Sequence, residues 1–536
     1  MSNNLIVGLG GTGAKVIESF IHLCASGLGP DAASIAFVDQ DQANGNTARA
    51  MRALRLYMEA REALRGDNTS QSLDNDISFF KTKLTPHQSH NKDEDLKTDE
   101  TALSGAHWTP HGQASTLGET IGYQSLKGDE RHLADLFFAN TPEELQMNLD
   151  AGYQGKPHLG SAALLAQIRQ KEHRWITDLN ELVDRSVQTE VRIILCGSAF
   201  GGTGAATLPT LAREINHRAD SSQKLSTSAV LLLPYFDFSA PSEGQDTNVA
   251  SSQYLRQQTR AALDYYTRLL DTEKLFKRVY MLGWEPLFPL GYHEKGQQKQ
   301  ENPPLVPELL AALGASDALN DDTNNAGSNS IVAIGRNSEE EVTWADLPEK
   351  LAGLNVQKTY GKLLRFSAMW QFAYREGIKQ ERDRMFAVGA DAWYKRHFGS
   401  DFKKDESSHE LLAKVDEYIE VFLRYAAQMA GRSRTTMVRD EFKLWQHHPI
   451  GDIDFEGDPR AEVDLKGPLK DRPGDLSGLV WRLPDQPEAP SYSDVFDALS
   501  HYPMKKNANG KKTKGVVPFI EALWDVSSIE TAKKET

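Results

Sequence analysis

Two glycine-rich segments constrain the fold of this 536-residue chain most, because each lies between an apolar strand pattern and a helical pattern. The first, Gly8–Gly13, follows the apolar run Leu5–Val7 and precedes Ala14–Ala25, where apolar residues recur at helical spacing. The second, Gly201–Gly204, follows Val191–Cys196 and also precedes a helical pattern. Glycine allows positive φ and a close approach to phosphate, and free N–H groups at a helix start face an anion. The two segments therefore predict a parallel sheet that carries two phosphate-binding turns.

The first glycine segment alone is also typical of enzymes that bind NAD. Asp39 follows the predicted strand Ser34–Val38, where such enzymes use an acid to bind the ribose. A dinucleotide enzyme needs one such loop, however, and this interpretation leaves Gly201–Gly204 unexplained. Two loops suit a nucleotide whose phosphates are bound from both sides, with the Thr203 hydroxyl as a further donor. The pattern favours a nucleoside triphosphate; an NAD-dependent oxidoreductase and a purely structural first turn stay open as alternatives.

The second glycine segment carries a family resemblance. The residues from Ile194 to Ala206, ILCGSAFGGTGAA, resemble the signature of the tubulin and FtsZ superfamily, usually written GGGTG[ST]G. Phe200 stands where that signature has its first glycine, and Ala206 where it has its last. The chain is most similar to the divergent bacterial tubulin-like group rather than to division FtsZ or eukaryotic tubulin.

Other segments follow in the order that this family has, from Asn4 to Leu313 and at most to Lys350. Besides the N-terminal glycine loop, the similar segments are Asp39–Gln42 near the nucleotide and its metal, Gly155–Gly160 as the γ-phosphate-sensing loop, Leu233–Phe238 on the ribose side, and Asn302 with Leu305–Leu313 as the central helix that touches the base.

The resemblance implies a tubulin/FtsZ-like α/β fold, in which a Rossmann-type parallel sheet is flanked by helices and followed by a mainly helical C-terminal region. It also implies a nucleotide site in this fold. The implied binding residues are Gly10, Gly11, Thr12, Gly13, Asp39, Gly155, Gly160, Gly201, Gly202, Thr203, Gly204 and Asn302.

The implied cofactors are GTP or GDP and Mg²⁺. Mg²⁺ would bridge the phosphates and keep most of its waters, with Asp39 and Asp41 as the nearest protein ligands. The alternative for both residues is that they end a strand and cap the next element. Near Leu282–Glu285 FtsZ carries an asparagine that reads guanine, and this sequence has none there. ATP therefore stays open beside GTP.

The resemblance also places the hydrolytic acids. In this family an acidic loop of one subunit reaches the nucleotide of the next and positions the attacking water. Trp344–Glu349, WADLPE, resembles the tubulin pattern N-x-D-L-x-E and implies Asp346 and Glu349 as catalytic residues acting in trans. A rival position is Asn320–Asp322. Both segments are equally compatible with solvated loop acids, in which case hydrolysis is slow or absent.

These expectations combine into a tubulin-like GTPase that associates with itself head-to-tail into filaments, because a heterologous contact that does not close gives open polymers. The alternative is a non-polymerising nucleotide-sensing switch in a bacterial multi-protein system of defence or stress response. Its helical C-terminal region would then recruit other proteins.

The pattern along the chain predicts three parts. The nucleotide-binding domain covers 1–350 with an insertion at about 44–150, a helical domain covers 351–446, and 447–536 is a partly ordered segment rich in Pro, Gly and charge. Within the insertion, Thr82–Thr101 is polar and predicts an exposed loop. A short helix is expected near Phe519–Trp524.

Composition excludes several classes of protein. The net charge of −15 disfavours nucleic acid as a partner. Only two cysteines occur, Cys24 and Cys196, which excludes a disulfide framework and favours a reducing cytosol. The N-terminus lacks a signal-peptide pattern, and no apolar run of about 18 residues predicts a transmembrane segment. We therefore expect a cytoplasmic protein.

Overall fold

The computed structural model describes residues 2–66, 72–87, 103, 105–111, 116–138, 142–150, 152–153, 155–169, 174–219, 224–238, 252–290, 301–320, 330–338, 342–348, 351, 353–378, 392–430, 492–506 and 510–528.

A parallel sheet of eight strands forms the centre of the protein. Its strands are β1 Asn4–Leu9, β2 Ala32–Val38, β3 Lys83–Pro86, β4 His107–Trp108, β5 Val191–Ser198, β6 Leu225–Leu232, β8 Arg278–Glu285 and β10 Ser330–Asn337; β7 Phe236–Phe238 and β9 Phe288–Leu290 form a separate pair. The spatial order is β10-β8-β6-β5-β1-β2-β3, with β4 beside the end of β2. The order therefore reverses between β1 and β5, which is the topological switch point of an open α/β sheet.

Helices cover both faces of this sheet and form the C-terminal region. They are α1 Gly10–Ser26, α2 Gly45–Arg65, α3 Leu117–Thr120, α4 Gly128–Phe138, α5 Pro142–Leu145, α6 Pro157–Arg169, α7 Arg174–Arg185, α8 Gly202–Arg218, α9 Ser252–Glu273, α10 Val306–Asn320, α11 Gly353–Trp370, α12 Ala392–His397, α13 Glu406–Ala430, α14 Tyr492–His501 and α15 Val516–Val526. The predicted α/β fold with a helical C-terminal region is confirmed.

The core has two layers because successive residues of a strand point to opposite faces. Ile6 of β1 packs with α1, α2, α10 and the C-terminal helices, whereas Leu5 and Val7 pack with α7, α8 and α9. A third, smaller apolar cluster joins α3, α5 and α6 around Tyr153. We call the segment 116–163 that surrounds this cluster the lobe.

The C-terminal helices pack directly on the sheet's helical layer. Tyr425 of α13 donates a hydrogen bond to Ser19 of α1 at 2.8 Å, and Tyr418 lies 2.9 Å from His22 Nδ1. Helix α1 is consequently buried along its length, its polar side chains included. The helix expected near Phe519–Trp524 is present as α15, which packs against α11.

The prediction of an exposed loop over Thr82–Thr101 is wrong for its first residues. Lys83–Pro86 forms the edge strand β3, which pairs with β2 from Ala32 onward. Thr82, Leu84 and Pro86 are buried. Backbone hydrogen bonds to β2 hold these residues in a strand despite their polar composition. Residues 88–101 lie outside the described part.

No helix within the described ranges has the length and apolar character that crossing a membrane requires.

Candidate functional site

Two glycine turns meet at the carboxyl ends of adjacent strands. Helix α1 begins at Gly10, directly after β1, and helix α8 begins at Gly202, after β5. A methyl group added at Gly10 would lie 3.3 Å from Thr203 Cβ and 3.4 Å from the backbone nitrogen of Gly204. The two predicted loops therefore border one crevice at the switch point, where open α/β sheets bind ligands.

The N-termini of both helices carry N–H groups that no side chain caps. The N-cap residues are Leu9 for α1 and Gly201 for α8, and neither makes a side-chain cap hydrogen bond. Helix α2 differs, since the side chain of its N-cap Asn44 accepts from the backbone N–H of Asn46. Helix α15, with N-cap Gly515, also lacks a cap, so this property alone does not identify a site. Two such ends beside each other provide free N–H groups of the kind that bind an anion.

Each glycine of the first loop is required for a different steric reason. Gly10 has φ of +69°, a left-handed conformation that favours glycine. A side chain at Gly13 would overlap the carbonyl oxygen of Cys196, so its glycine lets α1 approach β5 closely. Gly11 faces the side chains of Asn44 and Asn46. Gly13 thus shapes the turn by packing.

An acidic group completes the crevice between the glycine turns and α2. The Asp39 carboxylate accepts hydrogen bonds from the Thr203 hydroxyl at 3.3 Å and the Thr47 hydroxyl at 3.4 Å. Asp39 and Asp41 are both buried. Burial, together with the neighbouring charge of Asp41, raises the pKa of Asp39 to about 7. A nearby cation would favour the ionised form of this carboxylate.

The donor set fits Mg²⁺ that is held mainly by phosphate. Two buried carboxylates, Asp39 and Asp41, and the hydroxyls of Thr47 and Thr203 are hard oxygen donors, the type that Mg²⁺ prefers. In the part of the chain that the structure describes, no three His, Cys, Asp or Glu side chains come together to hold a metal. Phosphate oxygens and water would have to complete the coordination shell.

A third loop lies against the second glycine turn. A methyl group added at Gly202 would be 2.9 Å from the backbone nitrogen of Gly155 and 3.1 Å from Tyr153 Cβ. Gly160, at the start of α6, faces Ala206 of α8. The structure thus brings the predicted Gly155–Gly160 segment to the crevice.

Sequence reasoning missed the residues behind this loop. The Tyr153 hydroxyl lies 3.1 Å from His111 Nε2, and the Gln40 side chain bonds both the N–H and the carbonyl of His111. Burial lowers the pKa of His111 to about 4, so its ring is neutral. One feature of the sequence indicated this cluster, namely that Gln40 lies between the predicted ligands Asp39 and Asp41. His111 could not be linked to the site, because it belongs to the predicted insertion.

The opposite wall is formed by α1, α2 and the approach to α10. The backbone N–H of Asn302 donates to Asn46 Oδ1 at 3.0 Å, and its carbonyl accepts from Arg49 at 2.7 Å. Since Asn46 also faces Gly11, Asn302 lies beside the first loop. Its predicted contact with the base stays a prediction.

A buried ion pair behind the first loop was not predicted. Lys15 of α1 pairs with Glu308 of α10, which also accepts a hydrogen bond from the Tyr235 hydroxyl at 2.6 Å. The Thr12 hydroxyl bonds to Tyr235 in turn. Burial lowers the pKa of Lys15, although Glu308 opposes this effect. In the sequence, Lys15 and Glu308 are each a single charged residue within an apolar helical pattern, which is the one feature that could have indicated a buried pair.

Packing explains why Phe200 stands where the family signature has its first glycine. Phe200 is buried and lies edge-on to Phe236, with ring centroids 5.4 Å apart, and 6.2 Å from the ring of Tyr235. The aromatic side chain thereby joins the second glycine turn to the β7 segment that was expected on the ribose side.

Of the two predicted hydrolytic acids, the structure describes Asp346, which lies away from the glycine turns. The Asp346 carboxylate accepts from Thr343 N at 2.7 Å and pairs with Arg336 of β10 at 3.4 Å. β10 is four strands from β1, roughly 19 Å at the usual strand spacing. Asp346 therefore lies at the edge of the sheet and not among the glycine turns. Asn320 ends α10, while Glu349, Asp321 and Asp322 lie outside the described residues.

Comparison with known proteins agrees with this geometry. Residues 5–257, just under half of the chain, match the model of a family described as tubulin like. The matched segment contains both glycine turns, the acidic group and the third loop, and it ends within α9. No curated protein matches the chain.

Proposed function

Because residues 5–257 match the model of a tubulin-like family, we propose that this chain is a tubulin-like nucleotide-binding protein that binds GTP with Mg²⁺ in the crevice between the two glycine turns. The observation that carries this proposal is the meeting of two uncapped helix N-termini, with Gly10 beside Thr203. Free N–H groups and two aligned helix dipoles at one point favour a chain of phosphates over a single anion.

The hydrogen-bond partners of the Asp39 carboxylate support a triphosphate rather than NAD as the ligand. In a dinucleotide enzyme the acid after the second strand binds the ribose hydroxyls. Here the Asp39 carboxylate is buried and accepts from Thr203 of the second turn. It is therefore placed to face phosphates and their cation.

Asp39 and Asp41 would hold Mg²⁺ from the protein side, directly or through water. When bound, the cation neutralises charge on the phosphates. Thr203 and the free N–H groups of the two turns would orient the phosphate oxygens, and burial of the crevice would exclude bulk water.

Slow GTP hydrolysis in trans is the second part of the proposal. Asp346 lies at a sheet edge in its own chain, which suits a contact with the nucleotide of another copy. A carboxylate that orients the attacking water accounts for about a hundredfold in rate, so Asp346→Asn and Glu349→Gln should each lower turnover by that factor. Specific activity should rise with protein concentration. A rate that is independent of concentration would argue against action in trans.

Self-association is supported by an apolar face of the lobe. Leu133, Leu136 and Phe137 of α4 are 58%, 77% and 67% exposed, while Phe138 on the same helix belongs to the cluster around Tyr153. A second copy that covers this face would lie close to the third loop. Leu136→Asp should abolish GTP-dependent light scattering without weakening nucleotide binding. Val187→Asp, at an isolated exposed apolar residue, is the matched control.

The binding proposal is tested by titrating slowly hydrolysed GTP and ATP analogues and NAD with Mg²⁺ present. We expect the GTP analogue to bind best and NAD not to bind. Gly202→Ala should abolish binding, because its methyl group would collide with the third loop. Gly399→Ala is the control, since nothing lies within 4 Å of its side-chain position. NAD binding that survives Gly202→Ala would overturn the proposal in favour of an oxidoreductase.

A non-polymerising switch is the second candidate, and the packing of α13 on α1 favours it. The hydrogen bonds from Tyr425 to Ser19 and between Tyr418 and His22 link the helix of the first glycine turn to the C-terminal region. A protein that binds GTP but shows no concentration-dependent scattering under any condition would be assigned to this candidate.

A further inference from the structure

The C-terminal region carries a basic segment that the proposed nucleotide site does not use. Residues 505–514 contain five lysines and no acid, in a chain whose net charge is −15. The backbone N–H of Thr513 donates to the Lys505 carbonyl at 2.8 Å, and Lys506 pairs with Lys512 in an antiparallel bridge. We call residues 505–514 the lysine segment; the structure describes its residues 505–506 and 510–514.

One lysine holds this segment to the body of the protein. Lys505 Nζ lies 3.0 Å from Asp74 Oδ2 and 3.0 Å from Glu521 Oε2 of α15. Because successive side chains of a strand point to opposite faces, Lys506 points away from that contact. Lys506 and Lys512 are both exposed, and neither makes an ion pair with a residue that the structure describes.

The pairing of Lys506 with Lys512 brings two like charges together. Side chains directly opposite in an antiparallel pair have Cβ atoms about 5 Å apart, and like charges there are destabilising. Both ammonium groups stand on the exposed side of the lysine segment. Acids from outside this copy of the chain would offset the repulsion between them.

This lysine pair lies at the end of the molecule opposite to the crevice. Helix α2 begins beside the first glycine turn, where Asn44 faces Gly11, and it ends at Arg65. The Arg65 guanidinium donates to the Asp74 carbonyl at 3.4 Å, and the Asp74 carboxylate binds Lys505. A helix of 21 residues is about 31 Å long. The lysine segment is therefore roughly 30 Å from the glycine turns.

Helix α4 of the lobe carries exposed acids next to exposed apolar side chains. Asp129 and Glu130 are in its first turn, and both are exposed. Neither acid has an ion-pair partner within the described residues. Side chains three or four positions apart on a helix are neighbours, so these acids border the exposed Leu133, Leu136 and Phe137. We call these five residues the acidic face.

Contacts of the lobe place the acidic face at the crevice end of the molecule. Phe138 of α4 packs in the apolar cluster around Tyr153, and Tyr153 Cβ is 3.1 Å from the side-chain position of Gly202. Gly152 faces Asp41 in the same way. The acidic face and the lysine pair thus lie at opposite ends of the chain.

We propose, on the basis of the self-association proposed above, that Lys506 and Lys512 of one copy bind Asp129 and Glu130 of the next copy. Surfaces at opposite ends of a chain join copies head-to-tail, which is a heterologous contact. The charges are complementary, and the apolar stems of the lysines would cover the apolar residues beside the acids. The contact uses lysines that lie outside the matched tubulin-like segment, residues 5–257.

A second copy fits the lysine pair better than other polyanions do. The net charge of −15 opposes close approach of the chain to an anionic membrane or to nucleic acid. The lysine segment also contains no aromatic side chain that could stack on bases. The lobe, in contrast, supplies unpaired carboxylates together with an apolar surface.

Charge reversal in two separate variants tests this contact by light scattering with the GTP analogue and Mg²⁺. One variant carries Lys506→Glu with Lys512→Glu, and the other carries Asp129→Lys with Glu130→Lys. Each variant alone should need about tenfold more protein for half-maximal scattering, because two exposed ion pairs become repulsive contacts. An equimolar mixture should scatter at the wild-type concentration, since contacts between the two variants again join opposite charges.

Lys224→Glu with Lys274→Glu is the matched control, because both lysines are exposed and lie outside the lysine segment, before β6 and β8. This control changes the net charge equally and should scatter like wild type. Thermal unfolding and titration with the GTP analogue check that each variant is folded and binds nucleotide. If lysines at the start of α4 lower its stability, Asp129→Asn with Glu130→Gln removes the charges without opposing the helix dipole.

Two results would overturn the proposal: normal assembly of the variant with reversed lysines, or a mixture that assembles no better than its components. Sedimentation with anionic phospholipid vesicles and with double-stranded DNA tests the other polyanions. Binding to either that is lost on reversal of the two lysines, while assembly is unchanged, would assign them to that ligand and also overturn the proposal. A wild-type chain that binds the GTP analogue without scattering refutes the proposed self-association itself, which is a different result.

Discussion

The N-termini of α1 and α8 differ from the N-terminus of α2 in how their N–H groups are satisfied. Helix α2 is closed by the side chain of Asn44, whereas the other two helices begin at glycines and have no side-chain cap. All three ends lie around the same crevice, since Asn44 faces Gly11. The chain thus closes one helix end with its own side chain and leaves two open, which identifies where an external anion belongs.

The largest effect is expected from Asp39, the acid that faces the open ends. Its pKa of about 7 in the folded state exceeds the usual 3.8, so the unfolded chain loses this proton first. Stability therefore falls as pH rises from about 4 to 7, by an upper limit of about 4 kcal/mol. Without nucleotide and Mg²⁺, Asp39→Asn should be more stable than wild type at pH 8 and equal to it below pH 4. Denaturant unfolding across this range checks the prediction, and parallel pH profiles of the two proteins would refute it.

Capping the N-terminus of α8 with a side chain tests whether this uncapped helix end binds the ligand. Gly201 has extended backbone, φ −85° and ψ 151°, which a capping residue adopts. A Cβ there would lie 2.7 Å from Ser198 Oγ, the one atom within 4 Å, so this small hydroxyl must rotate away. Gly201→Asp should cap α8 and raise the unfolding free energy by about 1 kcal/mol. Its carboxylate would take the place of a phosphate, so affinity for the GTP analogue should fall about a hundredfold. Gly201→Ala is the control without a charge. Unchanged affinity in Gly201→Asp would mean that this helix end does not bind the ligand.

The hydroxyl beside the open end of α8 should have a smaller effect. Thr203→Val removes the donor to Asp39 and to phosphate, and should lower affinity for the GTP analogue about tenfold. Thr207 provides the matched control, because its buried hydroxyl, one turn later in α8, has no hydrogen-bond partner in the described structure. Calorimetric titration of both variants compares them. Equal losses would show that the change in α8, and not the lost donor, is responsible.

Removing the cap of α2, the closed helix end, should lower the stability of the protein. Asn44→Ala removes the cap of α2 and should lower the unfolding free energy by about 1 kcal/mol, while Asn44→Ser should keep most of it. Chemical denaturation of both variants measures the difference. If Asn44→Ala is as stable as Asn44→Ser, the cap is not what closes α2.

Local sequence patterns predicted the open ends well. Both glycine turns follow strands of apolar residues and precede helices with an apolar period, so the strand–turn–helix units around Gly10 and Gly202 are confirmed. Their adjacency followed from the rule that strand ends of a parallel sheet share one edge. The implied roles of Asp346 and Glu349 stay predictions.

What the sequence could not supply are contacts between distant segments. The alternation in β3 spans four residues of a polar stretch, too short to distinguish a strand from a loop. Lys15 and Glu308, or Lys156 and Glu144, become partners only once the sheet order and the lobe are known. Charged residues in single sequences carry no signal for which opposite charge they meet.

Hydrogen exchange with and without the GTP analogue and Mg²⁺ measures whether the two open helix ends bind the same phosphate chain. If both open helix ends bind one phosphate chain, peptides covering Gly10–Gly13 and Gly202–Ala205 should become protected together, with the same dependence on nucleotide concentration. The N-terminus of α15, which is uncapped but lies elsewhere in the chain, should exchange at an unchanged rate. Protection of only one of the two glycine turns, or of neither at saturating nucleotide, would show that the two helix ends do not share one ligand.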